Sequence, residues 1–132
     1  MIPDLPPPAA VAPVQQIDFS RLLWAIAQVE SGGDWTKEGG ALQICRTTWV
    51  EAAHMLPYKL AQFKPQAEIV GMMILRRNAA TFVRFGITPD LRMMSDAWRF
   101  GVSGAMRRAK EGKVSDYATR VINLFESNHP TS

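Results

Sequence analysis

Residues 18–33, which read DFSRLLWAIAQVESGG, decide the fold. Asp18 is a typical helix N-cap residue, and the pair Gly32-Gly33 is a typical helix stop. Between them apolar residues recur every three to four positions, which predicts a helix with one face buried in a core. This apolar stripe consists of Leu22, Leu23, Ile26 and Ala27.

Glu30 continues the apolar stripe into the last turn of the same helix. Partial burial disfavours the charged form of a carboxylate, and the partial negative charge of a helix C-terminus does the same, so both effects raise a carboxylate pKa. A carboxyl group that keeps its proton near neutral pH can act as a general acid. A helix that ends in water, with a solvated carboxylate, gives the same pattern. The stripe alone therefore leaves both interpretations open.

The rest of the chain is also helical in pattern and predicts an all-α domain of about six helices. The helix starts are marked by Thr48 with Glu51 as a capping box, by Pro65, by Thr88-Pro89 and by Ser115. The helix ends are marked by Gly86, Gly101 and Gly112, with a brief helix expected over residues 105–110. Only the polar loop 33–44 leaves room for a short strand pairing.

The two ends of the chain differ from its middle in composition. Residues 1–16, MIPDLPPPAAVAPVQQ, hold five of the nine prolines, which predicts an extended linker, and they lack the basic start of a signal peptide. Residues 128–132 are expected to be a C-terminal tail. Residues 17–127 are then one domain, in line with the total length of 132 residues.

Composition also argues against several classes of function. One cysteine and two distant histidines make a disulfide or a metal site built on these residues unexpected, and no cofactor is expected. The longest apolar run, residues 69–75, is too short for a membrane span. The net charge of +3 is small and no helix carries a dense basic face, so we expect no nucleic-acid partner.

Four short motifs, in order along the chain, resemble the lytic transglycosylase branch of the lysozyme-like superfamily. They span nearly all of residues 18–127, and the resemblance implies a compact, helical, lysozyme-like domain with a substrate cleft. The motifs are Glu30-Ser31-Gly32, Gly40-Ala41-Leu42-Gln43-Ile44 followed by Thr48-Trp49, Ala97-Trp98-Arg99-Phe100-Gly101, and Tyr117-Ala118-Thr119-Arg120-Val121.

This resemblance implies a peptidoglycan-cleaving enzyme, either a lytic transglycosylase or a muramidase, that acts on the β-1,4 bond between N-acetylmuramic acid and N-acetylglucosamine. Glu30 would protonate the glycosidic oxygen and then act as base while the muramoyl 6-hydroxyl forms a 1,6-anhydro end. This reaction needs one protein carboxylate, whereas ordinary glycosidases use two. Asp34 and Glu38 in the loop are candidates for a second carboxylate; the alternative is that both are solvated loop charges.

The resemblance also implies substrate-binding roles for Ser31, Gln43, Trp98 and Tyr117. Ser31 would hydrogen-bond Glu30, or else close the helix end. The amide of Gln43 suits N-acetyl groups and sugar hydroxyls. Trp98 and Tyr117 would flank the glycan or the acid, although aromatic residues at helical spacing also fill protein cores, and for Trp98 both interpretations stay open.

The third motif departs from the family pattern, because Arg99 stands in place of an asparagine and Phe100 in place of an alanine. This departure motivates an alternative function, a catalytically inactive lysozyme-like module that binds glycan or a protein partner. The resemblance implies a location in the bacterial periplasm or cell envelope, or in a phage particle. Residues 1–16 would then tether the domain, which leaves open a protein partner in the envelope machinery.

Overall fold

A computed structural model describes residues 17–127 of the chain, and the predicted linker 1–16 and tail 128–132 lie outside the described residues. The all-α expectation is confirmed for this range, which contains no strand. None of its helices has both the length and the apolar composition that a membrane span requires. The elements are α1 (Phe19–Ser31), α2 (Arg46–Ala53), a 3₁₀ helix (Tyr58–Gln62), α3 (Lys64–Arg84), α4 (Leu91–Lys110) and α5 (Asp116–Ser127).

Helix α1 contributes five buried residues to the core and has the ends that its sequence predicts. The side chain of Asp18 accepts a hydrogen bond from the amide of Arg21 at 3.1 Å, and Gly32 ends the helix in the left-handed conformation at φ 70°. The whole apolar stripe of α1 is buried. Helix α1 packs against both α3 and α5, and Tyr117 of α5 contacts its last turn.

A glycine sets the close approach of α1 and α3. A Cβ atom added at Gly71 would lie 2.9 Å from a methyl carbon of Leu23 and 3.2 Å from one of Leu42. Gly71 therefore lets α3 approach both α1 and the loop that follows α1. Both α3 and this loop contribute residues to the cleft that Glu30 lines.

Two predicted helix starts are wrong by two or three residues. Helix α2 begins at Arg46 with Cys45 as its N-cap, so Thr48 lies inside the first turn and no capping box forms. Helix α4 begins after Asp90, whose carboxylate accepts a hydrogen bond from the amide of Met93 at 2.8 Å. A carboxylate is a strong capping acceptor, which explains why Asp90 rather than Thr88 caps this helix.

Two other expectations change for reasons of backbone conformation. The brief helix expected at 105–110 is the continuation of α4 beyond a break at Gly101, which has φ 79° and ψ 164°. The strand pairing considered for residues 33–44 does not form. Gly33, Gly39, Gly40 and Gln43 all have positive φ, so this loop is a series of turns that cannot stay extended.

Candidate functional site

A cleft of about 570 Å³ lies beside the end of α1. Glu30, Gln43 and Trp98, all singled out from the sequence, line it together. The remaining lining residues come from the loop just before α2, from α2 and α3, and from the region of α4 around its break. Three sequence-predicted site residues that are far apart in the chain therefore share one cavity.

Glu30 is partly buried, and its carboxylate contacts Tyr117 of α5. The hydroxyl of Tyr117 donates a hydrogen bond to Oε2 of Glu30 at 2.8 Å. Burial of the phenol, together with the negative charge of Glu30 and this hydrogen bond, raises the pKa of Tyr117 well above its ordinary value. Tyr117 therefore remains a proton donor to Oε2. No residue within 17–127 hydrogen-bonds Oε1, so this oxygen has no protein partner in the described range.

Ser31 does not make the hydrogen bond to Glu30 that the resemblance implies. Its hydroxyl donates to the carbonyl of Ala41 at 2.8 Å and lies 3.2 Å from the carbonyl of Ala27. It also accepts from the amide of Asp34 at 3.0 Å. Ser31 is absent from the cleft lining, and its hydroxyl fastens the following loop to the helix end, which is the other role considered for it.

The segment 40–44, which reads GALQI, is fixed by burial on both sides of Gln43. A Cβ atom at Gly40 would lie 1.7 Å from the carbonyl oxygen of Ala61, so only glycine fits this position. Ala41, Leu42 and Ile44 are buried in the core. Gln43 alone points outward, at a left-handed φ of 52°, and it does so into the cleft.

The side-chain amide of Gln43 is anchored to its own loop. Its Nε2 group donates to the carbonyl of Glu38 at 2.9 Å and to the carbonyl of Gly40 at 2.8 Å. Both N–H bonds are thereby used within the loop. The oxygen Oε1 is the part of the amide that can accept a hydrogen bond from a ligand in the cleft.

The third motif lies along the cleft in α4. Trp98 is partly buried. One part of it packs against the core and another part lines the cleft, so the residue is both a core residue and a cleft residue. The guanidinium carbon of Arg99 lies 5.8 Å from the ring centre of Tyr117, and Arg99 lines the cleft as well. Phe100 is not among the lining residues; the guanidinium of Arg108 covers its ring at 3.9 Å.

The break in α4 lies in the wall of the cleft. Gly101 has φ 79° and ψ 164°, a combination that is essentially restricted to glycine. Gly101, Val102 and Ser103 all line the cleft. Because a break in a helix leaves peptide N–H and C=O groups without helical partners, this segment can hydrogen-bond a ligand through its main chain.

The two candidates for a second carboxylate do not line the cleft. The carboxylate of Asp34 accepts from the amide and the hydroxyl of Thr36, at 2.9 Å and 2.6 Å. These hydrogen bonds lower the pKa of Asp34, as does the positive charge of Lys37 to a smaller extent. Glu38 is exposed, and its carbonyl accepts from Gln43. Asp34 closes a local turn and Glu38 lies on the outer surface of the loop, so neither faces Glu30 across the cavity.

Sequence reasoning missed the residues that α2 and α3 bring to the cleft. Glu51 lines it and pairs with Arg77 at 3.3 Å, with both side chains about half exposed. Asn78 and Thr81 lie on the same helix as Arg77. Polar residues spaced by one helical turn are the only sequence signal for this wall: Thr48 with Glu51, and Arg77 with Thr81. Such spacing is typical of any solvated helix face, so it does not indicate a cleft.

The cleft also holds the single cysteine. The Sγ atom of Cys45 lies 3.1 Å from the hydroxyl of Thr48, and hydrogen bonding to Thr48 lowers the pKa of this thiol. No group of three or more histidine, cysteine, aspartate or glutamate side chains is arranged as a metal site within residues 17–127. Comparisons of the chain with models of protein families, with curated protein sequences and with solved structures find no match.

Proposed function

We propose that the protein is a peptidoglycan-cleaving enzyme of the lytic transglycosylase type, with a lysozyme-like fold and Glu30 as its general acid and base. The observation that carries this proposal is the position of Glu30, a partly buried carboxylate at the end of α1, on the wall of a cavity large enough for sugar rings. A single anchored carboxylate in a cleft is the minimum that this reaction requires.

The proposed reaction follows from the two oxygens of Glu30. Tyr117 binds Oε2, so Oε1 carries the proton that goes to the glycosidic oxygen between N-acetylmuramic acid and N-acetylglucosamine. The C–O bond breaks, and the sugar that is released takes this proton. Glu30, now ionised, then removes the proton of the muramoyl 6-hydroxyl. That oxygen bonds to the anomeric carbon and gives a 1,6-anhydro end.

The carboxylates of the cleft favour this product over hydrolysis. Hydrolysis by inversion needs a second carboxylate that activates a water molecule. Asp34 and Glu38 are outside the cleft, and Glu51, the other acidic residue of its described lining, is paired with Arg77. Since the muramoyl 6-hydroxyl supplies the nucleophile in the transglycosylase reaction, no further carboxylate is needed.

The binding roles that we propose use residues that line the cleft. Oε1 of Gln43 accepts a hydrogen bond from an N-acetyl N–H or a sugar hydroxyl. The exposed part of Trp98 offers an apolar surface to a sugar ring. Main-chain groups at Gly101 add further hydrogen bonds. The proposal implies a location where peptidoglycan is present: the bacterial periplasm or cell envelope, or a phage particle.

Mass spectrometry of the fragments released from purified peptidoglycan sacculi tests the product. The wild-type protein and Glu51→Gln should both release fragments with 1,6-anhydro ends, and Glu30→Gln should release none. Reducing ends that disappear in Glu51→Gln would identify a muramidase that uses Glu51 as the second carboxylate.

One observation favours the alternative of a binding module. Arg99 lines the cleft and lies over the ring of Tyr117, the residue that binds Glu30. A positive charge thus stands at this position, where the family pattern has a neutral asparagine. If the wild-type protein binds sacculi and releases no fragment, while Arg99→Asn still releases none, the protein is a glycan-binding module rather than an enzyme.

A further inference from the structure

Asp96 is a buried acidic residue that the proposed reaction does not use. Only 1% of its surface is exposed, and it lies in α4 immediately before the motif that lines the cleft. Burying a carboxylate is costly unless hydrogen bonds compensate for the lost water. A buried carboxylate one helical turn from a candidate active site therefore calls for a specific partner.

That partner is Ser115, which is also buried. The hydroxyl of Ser115 donates to Oδ1 of Asp96 at 2.6 Å. The same hydroxyl oxygen accepts from the amide of Ala118 at 2.9 Å and so caps the first turn of α5. A serine hydroxyl has one proton to donate. Because Ser115 donates it in the hydrogen bond to Asp96, its oxygen is held in the orientation that accepts from the amide of Ala118.

This capped turn of α5 carries Tyr117. Tyr117 follows the capping serine by two residues, and its hydroxyl reaches Glu30 at 2.8 Å. Arg99, three residues after Asp96 and so on the same side of α4, covers the ring of Tyr117. The turn that carries Tyr117 therefore contacts α4 at two points: Asp96 binds Ser115, and Arg99 lies over the ring of Tyr117.

We propose that the Asp96–Ser115 pair is a positioning device that holds the first turn of α5 so that the hydroxyl of Tyr117 stays on Oε2 of Glu30. The chain of contacts is continuous: Asp96 orients Ser115, Ser115 fixes the turn, and the turn places Tyr117. Neither Asp96 nor Ser115 lines the cleft, so both act through Tyr117. The catalytic consequence rests on the function proposed above, whereas the positioning itself does not.

A hydrogen bond of this kind depends steeply on placement. It weakens rapidly as the donor and acceptor separate or lose alignment. A displacement of about 1 Å at a reacting group costs on the order of 100-fold in rate. Loss of the Asp96–Ser115 contact should therefore reduce activity about 10- to 100-fold, although no group in the cleft has changed.

The positioning can be tested without an activity assay. Tyrosine labelled with ¹³C at the ζ carbon gives two signals, because the chain has two tyrosines, and Tyr58→Phe assigns them. In Asp96→Ala and Ser115→Ala, the Tyr117 signal should move toward its position in Glu30→Ala, where the acceptor is missing. Asp96→Asn keeps an acceptor for Ser115, and Ser115→Thr keeps the hydroxyl, so both should stay near wild type.

Ser95→Ala is the matched control for these variants. Ser95 is buried beside Asp96 on the same helix, but its hydroxyl donates to the carbonyl of Leu91 at 2.8 Å within α4. This variant should leave the Tyr117 signal in place. If the signal also stays in place in folded Ser115→Ala and Asp96→Ala, the positioning role is contradicted.

Activity on sacculi gives the second readout. Asp96→Ala combined with Tyr117→Phe should be no less active than Tyr117→Phe alone, because Asp96 acts only through the Tyr117–Glu30 hydrogen bond that Tyr117→Phe already removes. Full additivity of the two losses would contradict the proposal. If the wild-type protein is inactive on sacculi while Asp96→Ala and Ser115→Ala still shift the Tyr117 signal, the proposed function is refuted and the positioning is supported. If the wild-type protein is active and the signal does not move in these variants, the positioning is refuted and the proposed function is untouched.

Discussion

The hydroxyl of Tyr117 donates a hydrogen bond of 2.8 Å to Glu30, a residue 87 positions earlier in the chain. This contact joins the first helix of the domain to the last, beside the cleft. It occupies Oε2 of Glu30, and in the proposed reaction Oε1 is the oxygen that gives its proton to the substrate. The proposed mechanism therefore assigns different roles to the two oxygens of Glu30.

Tyr117→Phe should reduce the release of fragments from sacculi by about 10- to 100-fold, because the ring stays while the donor to Glu30 is lost. The free energy of unfolding should fall by about 1 kcal/mol, the usual value for one hydrogen bond. Chemical denaturation and a sacculus assay measure the two effects.

Tyr58→Phe is the control for this change. The Tyr58 hydroxyl donates to the carbonyl of Ile44 and does not reach Glu30, so the variant should lose comparable stability and much less activity. Equal losses of activity in the two variants would mean that the hydrogen bond to Glu30 has no special part in the reaction.

Gly101→Ala should damage the cleft through the backbone alone. Apart from the adjacent residues and the neighbouring backbone of α4, no atom lies within 4 Å of a Cβ added at Gly101, so the alanine would not clash with other parts of the protein. Its φ of 79° and ψ of 164° are nevertheless strained for alanine, at a cost of about 1–3 kcal/mol. The break in α4 should relax and reshape the cleft wall, with a loss of activity of about tenfold or more.

Gly86→Ala provides the comparison, since Gly86 also has a positive φ, of 76°, and open space around it, but lies outside the cleft. It should lower the melting temperature and leave the activity of the folded protein unchanged. If both alanine variants retain full activity, the conformation at Gly101 is not needed in the cleft.

The thiol of Cys45 should report on the cleft through its rate of reaction with a maleimide. Hydrogen bonding to Thr48 lowers the pKa of Cys45, and the thiolate is the reactive form. The rate should therefore rise with pH and level off at a lower pH than for an ordinary cysteine. Thr48→Val removes the hydroxyl, raises the pKa of the thiol and should move the whole curve to higher pH.

Glycan in the cleft should protect the same thiol. In Glu30→Gln, which cannot cleave its ligand, soluble peptidoglycan strands should slow the labelling of Cys45. Identical labelling rates with and without glycan, at concentrations where binding is measured independently, would place the glycan elsewhere on the protein.

Local sequence signals were sufficient for α1 and for the position of Glu30. Asp18, Gly32 and the apolar stripe between them lie within one helix length, so the cap, the stop and the buried face could be predicted together. The outward position of Gln43 also follows from local sequence, since it is the one polar residue among buried neighbours in the segment 40–44.

The rest of the site is decided by packing between distant helices. Asp96 is buried because both α3 and α5 pack against α4. The spacing of apolar residues along α4 does not reveal that two helices cover it. Glu51 and Arg77 meet only because α2 lies against α3. Asp34 was a reasonable candidate by type, but its turn with Thr36 directs its carboxylate away from the cleft.

The most direct measurement compares wild type, Glu30→Gln and Glu126→Gln for release of soluble fragments from purified sacculi. Glu126 is exposed on α5 and serves as the matched change of charge. The wild type and Glu126→Gln should release fragments at the same rate, while Glu30→Gln should be at least about 100-fold slower, as expected for loss of a general acid. Equal rates for all three proteins would contradict the central role of Glu30.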